Sequence, residues 1–198
     1  FHNSCINDLS TNLINLYRYI QEQNEDFHNL LLHIDELWLF IEGNNNRDII
    51  NDISIDFHSY ITYYNQSLRR KNKAIEKFEL DGKTVSPVDR AKMEMTARKT
   101  AFYMCIRDLY NQSEDVLLKT ASYYYLREYC YSSMFRFSNN GDFNVPYGGM
   151  SYNQKYMSEK IEYMFSNEMR ELMGNTMIAN MDFEVFLNQL NLNDDDFI

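Results

Sequence analysis

The stretch FRFSNNGDFNVPYGG (residues 135–149) interrupts a chain that otherwise has the apolar spacing of α-helices. It holds three of the six glycines and one of the two prolines in the whole sequence. Asn-Gly between two short aromatic runs is the strongest short-range signal of a β-hairpin. We therefore predict a hairpin at about 134–148. Its second arm lies at a sheet edge or leaves the sheet at Pro146, because proline has no backbone N–H to donate.

Amphipathic helices are predicted on both sides of this hairpin. Before it, apolar side chains recur at helical spacing in five segments, at about 10–20, 25–42, 49–64, 86–111 and 115–126. After it, residues 153–173 predict one long helix that ends at Gly174. The residues from 69 to 84 are mainly polar, and Asp81-Gly82 among them predicts a turn.

The last residues of the chain have a different pattern. TMIAN (176–180) predicts a short strand, DFEVFLNQL (182–190) a helix, and DDDFI (194–198) the entry to a second strand. A strand, a helix and a strand in so short a span indicate a βαβ unit, and therefore a parallel sheet. The predicted fold class is α/β, although the chain itself is expected to be mostly α.

Positive charge is concentrated in one segment. The net charge is −10, yet residues 66–107 contain 11 of the 19 Lys and Arg residues and only 5 of the 29 Asp and Glu residues, a local balance of +6. Such asymmetry indicates a basic surface for an anionic partner, with a well-solvated helical surface as the alternative. Four side chains are candidates for nucleic-acid phosphate contacts, unless they belong to a solvated linker: Arg69, Arg70, Lys71 and Lys73.

The three cysteines are odd in number and widely spaced, and no Cys-x-x-Cys pair occurs. We interpret them as reduced, mostly buried thiols of a cytoplasmic protein. Because no Cys and His cluster has ligand spacing, no metal site is predicted. No run approaches the roughly 18 apolar residues that a membrane span requires, so no membrane association is expected.

Four stretches of this chain, in the same order, resemble the Dam-type DNA adenine-N6 methyltransferases. YCYSSMFRFSNNGDFNVPYG (129–148) resembles the family's central signature of an aromatic residue, Asn-Gly, an arginine and a Gly-acid-Phe-Asn-Val-Pro run. INDLSTNLINLYRYIQ (6–21) resembles the segment after the cofactor loop, and FYMCIRDLYNQ (102–112) an aromatic-rich Arg…Asn helix. MIANMDFEVFL (177–187) resembles the segment before the catalytic strand.

The resemblance implies a Rossmann-like core that uses S-adenosylmethionine, with a mainly helical target-recognition insertion that carries the β-hairpin. Residues 1–45 and 156–198 would belong to the core and residues 46–155 to the recognition region. Enzymes of this family transfer a methyl group to N6 of adenine in double-stranded DNA, after the base is flipped out of the stack. Double-stranded DNA is thus the expected partner, with a companion restriction endonuclease as a further possibility.

The resemblance also implies residues for the cofactor. Asp8 corresponds to the family's strand-end acid, which accepts hydrogen bonds from the ribose hydroxyls. A helix cap, supplied by Asp8 or Ser10, is the alternative for that position. Asn180, Met181 and Asp182 lie where the family's pre-catalytic loop approaches the adenine of the cofactor.

For DNA, the resemblance implies that Arg136 reaches a guanine edge in the major groove, where bidentate arginine is the commonest specific contact. A surface arginine on a two-stranded ribbon is the alternative. Tyr131 corresponds to an aromatic wedge in the duplex, with a core tyrosine as the alternative. Pro146 corresponds to a proline that lies along the DNA, and it can terminate the strand as well.

At other positions in and near the signature, the correspondence with the family is less direct. Ser132 and Ser133 stand where the family usually has Asn-Gly, so the target sequence is not predicted. Met134 and Asn140 complete the expected DNA-contacting set. Arg107 and Asn111 match the family's Arg…Asn pair, for which we expect a structural or phosphate-binding role.

Two family motifs are absent from residues 1–198. These are the glycine-rich Phe-x-Gly-x-Gly loop and the Asp-Pro-Pro-Tyr motif that binds the flipped adenine. We interpret the chain as an internal fragment between them that has no catalytic residues and is inactive alone. The alternatives are a non-catalytic DNA-binding module and a helical protein-interaction domain in which the match is accidental.

Overall fold

Eight helices and two short strands form the part of the chain that the structure, a computed structural model, describes: residues 4–42 and 53–190. The strands are β1 (Ser4–Asn7) and β2 (Thr176–Ala179). The helices are α1 (Thr11–Gln21), α2 (Glu25–Phe40), α3 (Phe57–Leu80), α4 (Pro87–Gln112), α5 (Val116–Tyr129), α6 (Ser158–Met164), α7 (Asn167–Gly174) and α8 (Phe183–Gln189). None of the described helices is long and apolar enough to cross a membrane.

The two strands pair in parallel, although they come from opposite ends of the sequence. Ser4 lies opposite Thr176 and Asn7 opposite Ala179. The strand predicted at TMIAN is therefore confirmed, and its partner is β1. The second strand predicted at DDDFI lies outside the described residues.

Two helix predictions, those at 49–64 and 153–173, were wrong at their boundaries. The helix expected from residue 49 begins at Phe57, where Asp56 caps it by accepting hydrogen bonds from His58 and Ser59 N–H groups; residues 49–52 are outside the described part. It then continues to Leu80 through the polar segment for which a linker was the alternative. Its Lys, Arg, Glu and Ala residues are good helix formers, so the polar composition reflects exposure and not a loop.

The long helix predicted at 153–173 is in fact two helices, α6 and α7. The backbone leaves helical geometry after Met164, and Ser166 caps α7 by accepting a hydrogen bond from the Met169 N–H at 3.2 Å. A serine that competes for backbone donors in this way favours a new helix start. The prediction that Gly174 ends the segment is confirmed.

The core is rich in aromatic rings and contains a buried ion pair. Trp38 packs against Phe102, Tyr125, Tyr129 and Tyr147, with ring centroids 4.5–6.2 Å apart. The fully buried Lys99 lies 4.2 Å above the Trp38 ring and contacts Glu42 at 2.6 Å. This core contacts residues 135–149 through Tyr147, which packs on Trp38, and through Tyr103, which bonds the Val145 carbonyl.

Helices α3 and α4 form an antiparallel pair that extends away from this core. Almost all side chains in residues 66–92, which we call the arm, are exposed or half-buried, and Ile75 is the buried exception among them. At 1.5 Å per residue, α3 alone is about 36 Å long. The arm therefore presents its charged side chains far from the core.

Candidate functional site

Residues 130–148, which we call the reading loop, fold back on themselves around Asn140-Gly141. The Ser138 N–H donates to the Asp142 carbonyl at 2.8 Å, and the Asn144 N–H to the Arg136 carbonyl at 3.2 Å. Gly141 has φ +86°, a left-handed conformation that glycine adopts without strain. Among the described residues the loop contains isolated antiparallel bridges, Phe137 with Phe143 and Cys130 with Tyr147, and no regular two-stranded ladder.

Side chains of the core hold the reading loop from beneath. The Asn111 carboxamide forms two hydrogen bonds with the backbone of Phe143, at 2.9 and 3.1 Å. The buried Tyr103 hydroxyl donates to the Val145 carbonyl at 2.9 Å. The structural role expected for Asn111 is thus present, whereas nothing in the sequence pattern pointed to Tyr103.

The predicted DNA-contacting side chains of the loop all lie on its outer surface. Tyr131 and Met134 are 53% and 45% exposed, so the alternative of a core tyrosine at position 131 was wrong. The remaining predicted members are also exposed: Ser132, Arg136, Asn140 and Pro146. Phe137, which the sequence did not single out, is 47% exposed beside them.

Ser132 and Ser133 both have left-handed backbone conformations, with φ of +54° and +52°. Asparagine and glycine adopt this region more readily than serine. The Asn-Gly that the family usually has at these positions therefore matches the backbone that this chain adopts. The turn is kept here with serines, at a cost in conformational energy.

A polar cavity of about 540 Å³ lies beside the reading loop. Arg107, Asn111, Ser138 and Asn144 contribute to its wall. The Arg136 Nε donates to the Asn144 Oδ1 at 3.0 Å, which orients the guanidinium. Among the described residues, the buried Nε of Arg107 has no hydrogen-bond partner.

The basic side chains of the arm divide into two groups. Arg69, Arg70 and Lys73 are exposed. Lys71 is half-buried, and burial lowers the pKa of its ammonium below the usual value. Lys71 was predicted as a phosphate contact together with the others, and it is the one of the four that is not exposed.

A second cluster lies at the carboxyl ends of the two parallel strands. The Asn180 Nδ2 donates to the Asp8 carbonyl at 2.7 Å, and the Asn7 carboxamide bonds both the N–H and the carbonyl of Met181. Three of the four predicted cofactor residues therefore meet here: Asp8, Asn180 and Met181. Ligands of open α/β sheets bind outside this end of the strands.

The carboxylates in this cluster have different surroundings. Ser10 caps α1 by accepting from the Leu13 N–H, so the alternative of a cap at Asp8 was wrong. One oxygen of Asp8 accepts from the Ser10 N–H at 2.6 Å, and no other hydrogen bond to this carboxylate occurs in the described part of the chain. Asp182 instead caps α8 by accepting from the Glu184 and Val185 N–H groups.

Within residues 4–42 and 53–190, no group of three or more His, Cys, Asp and Glu side chains could hold a metal ion. The three cysteines are free thiols; Cys105 and Cys130 are buried, and Cys5 is exposed.

The chain is similar to known DNA methyltransferases. A family model for the D12 class of N6 adenine-specific DNA methyltransferases matches residues 1–198. The chain is 28% identical over 111 residues (56% of this chain, 39% of the relative) to the Type II methyltransferase M.CviBI of a Paramecium bursaria Chlorella virus. It is 31% identical over 93 residues (44% and 30%) to the Type II methyltransferase M.MjaIII of Methanocaldococcus jannaschii.

A third relative is the DNA adenine methylase of Vibrio cholerae, which is 33% identical over 58 residues, 29% of this chain and 20% of the relative. The matched segments thus span 20% to 39% of the length of these three proteins.

Proposed function

The chain belongs to the D12 class of N6 adenine-specific DNA methyltransferases, and from that premise we propose that it supplies the DNA-reading part and half of the cofactor site of such an enzyme. The observation that carries the proposal is the reading loop. Its exposed face holds Tyr131, Met134 and Arg136, while the core bonds its backbone from the other side. A rigid support of this kind is what a base-reading side chain requires.

Arg136 is proposed to read a guanine. Asn144 binds its Nε, which leaves the terminal nitrogens of this exposed side chain for a bidentate contact with the O6 and N7 atoms. Tyr131 and Met134 are proposed to fill the space that the displaced adenine leaves, because apolar wedges stabilise unstacked duplexes. Asn140 and Pro146 lie on the same exposed side and complete the surface.

Phosphate contacts are proposed in two places. Arg107 would bind a phosphate at the polar cavity that it lines, through the charge of its guanidinium. Arg69, Arg70 and Lys73 would contact the backbone farther along the duplex from the arm. Such contacts add affinity and salt dependence without sequence information.

S-adenosylmethionine is the proposed methyl donor. Asp8 would accept a hydrogen bond from a ribose hydroxyl through the oxygen that Ser10 does not use, and Asn180 and Met181 would contact the adenine. The cofactor supplies the activated methyl group. The residues of this chain bind and orient it at the carboxyl ends of the strands, where such ligands bind.

Methyl transfer itself needs a further group. The adenine amine is a poor nucleophile because its lone pair is delocalised into the ring, so acceptors must be placed at its hydrogens. Residues 1–198 contain no Asp-Pro-Pro-Tyr to supply them. We therefore propose that these residues recognise DNA without catalysing transfer on their own. Two relatives are named as Type II methyltransferases, which makes a restriction endonuclease a companion to test.

The test replaces Arg136 by alanine and by lysine and measures binding to a pool of duplexes with randomised sites. The alanine variant should lose about 10- to 100-fold of the preference at one guanine position, and the lysine variant should lose less, because its ammonium can reach O6 and N7 but lacks the planar fork of arginine. Arg170→Ala, an exposed arginine on α7, is the matched control and should retain the preference.

Two outcomes would contradict parts of the proposal. Unchanged base preference in both Arg136 variants would exclude the reading role of the loop. Incorporation of tritiated methyl groups into adenine by the 198-residue chain would show that it does not need Asp-Pro-Pro-Tyr.

A further inference from the structure

A second charged pocket lies on the other side of the reading loop. It has a volume of about 510 Å³. Ser133 and Phe135 of the loop form one wall, and Leu13 in the first turn of α1 contributes to another. The charged side chains that line it are Arg127, Glu128, Lys155 and Lys160.

The pocket has an excess of positive charge. A single oxygen of Glu128 contacts the Lys155 Nζ at 3.0 Å and the Lys160 Nζ at 2.7 Å. Burial opposes ionisation of this carboxyl, but hydrogen bonds from Lys160 and Lys155 outweigh it and lower the pKa of Glu128. One carboxylate therefore faces two ammonium groups, and the Arg127 guanidinium adds a third positive charge.

The three cations have different freedom to move. Lys155 also donates to the Glu128 carbonyl and lies 5.8 and 5.5 Å from the ring centroids of Tyr129 and Tyr152, so it is fixed in the structure. Lys160 is 55% exposed and Arg127 is exposed. These two side chains can therefore turn toward a ligand while Lys155 still pairs with Glu128.

The place of the pocket matters as much as its charge. Tyr123 and Leu13 both line it, and the Leu13 N–H donates to the Oγ of Ser10, two residues after Asp8 in the strand-end cluster. Tyr123 also packs against Phe135 of the reading loop, with ring centroids 5.0 Å apart. The pocket thus connects the loop that would face the duplex with the strand ends that would face the cofactor.

A base inside a duplex cannot reach a bound methyl donor, so its nucleotide must leave the stack. We propose that this pocket binds the phosphate and sugar of the displaced nucleotide, with Arg127 and Lys160 on the phosphate and the Tyr123 and Phe135 rings against the sugar. A cationic groove with aromatic side chains beside it is the usual environment of unpaired nucleotides. The inference rests on the proposed DNA-reading function and adds the residues that hold the displaced nucleotide.

The test compares two probes, a fully paired duplex and the same duplex with one extra, unpaired adenosine. Binding of the 198-residue chain is measured by fluorescence anisotropy over a range of salt concentrations. The wild-type chain should prefer the bulged duplex by about 10-fold, because one added phosphate contact and aromatic contact are gained only there.

The double variant Arg127→Ala/Lys160→Ala should lose most of this preference and bind the paired duplex within about twofold of wild type. Its slope of log K against log salt on the bulged duplex should fall by about one, the contribution of one phosphate. Arg170→Ala removes an exposed arginine outside the pocket and should change neither quantity.

Three results would overturn the inference. The wild-type chain could bind both duplexes equally, or the double variant could weaken both equally; in either case DNA binding, and with it the proposed function, would stand. Failure of the wild-type chain to bind any duplex would refute the proposed function and this inference together.

Discussion

At the scale of single residues, two serines show how this chain builds its turn. Ser132 and Ser133 occupy the left-handed region without the glycine or asparagine that usually does so. A non-glycine residue in this region costs roughly 1–2 kcal/mol, because Cβ approaches the carbonyl oxygen. The exposed position of the turn means that neither serine recovers this cost through burial.

Replacing Ser133 by glycine should therefore stabilise the fold. The gain from relieved strain, less the greater entropy of glycine in the unfolded chain, is about 0.5–1 kcal/mol. Urea unfolding should show a higher midpoint with an unchanged slope. Ser133→Ala keeps the Cβ and is the control; an equal gain in both variants would show that the backbone strain is not the cause.

At the scale of elements, the arm shows why polar composition alone was a poor guide. Its 27 residues include eight Lys and Arg and four Asp and Glu, which as a sequence also fit a solvated linker. Ile75 is buried and Lys71, one helical turn before it, is half-buried, so one side of α3 is covered and stabilises the helix there. The same packing leaves Arg69, Arg70 and Lys73 exposed.

Removal of these three charges should weaken DNA binding without changing base preference. In Arg69→Ala/Arg70→Ala/Lys73→Ala, the slope of log K against log salt should fall by about 2.7, that is about 0.9 for each lost phosphate contact. Lys71→Ala removes one positive charge from a half-buried position of the same helix and should leave the slope unchanged. A similar slope for wild type and the triple variant would mean that the arm does not contact DNA.

At the scale of the whole molecule, a buried charged cluster joins distant segments. Asp35 on α2 is buried and accepts a hydrogen bond from the Met157 N–H at 2.9 Å. Lys99 on α4 pairs with Glu42 and donates to the Asn153 carbonyl. The segment that follows the reading loop is thereby fastened to two helices, which keeps the loop at a constant position on the core.

Asp35 should make stability depend on pH. Burial raises the pKa of its carboxyl above the usual 3.8, against hydrogen bonds from Met157 and Ser158 and the attraction of Lys99. A raised folded-state pKa gives stability that is complete below the unfolded-state pKa and lost as the pH rises through the folded-state pKa. An asparagine side chain at this position would imitate the protonated carboxyl at every pH.

The variant Asp35→Asn should therefore gain stability relative to wild type as the pH rises from about 4 to about 7, as measured by urea unfolding at several pH values. Glu171→Gln is the control, because Glu171 is exposed and is not among the groups that act on Asp35, so its removal should not change the difference from wild type in the same way. A difference between Asp35→Asn and wild type that does not vary with pH would refute a raised pKa at Asp35.

Much of the local structure could be predicted from the sequence. Ser10 and Ser86 cap the helices that their positions indicated, and the chain reverses at Asn140-Gly141. The break at Ser166 and the extension of α3 were missed, since both depend on which side of a helix is packed against the core. The DNA-contacting residues of the reading loop were predicted from a resemblance in sequence, and the structure locates them on the surface.

By itself, then, the sequence determined most helix starts, the turn and the family, because caps, turn residues and motifs act over a few neighbouring residues. Only the tertiary structure decided which distant segments meet. Ser4 pairs with Thr176 across 172 residues, Asn111 holds Phe143, and Arg127 and Lys160 line one pocket. Such contacts depend on how the helices pack, and the free energy of that packing is shared by the whole core.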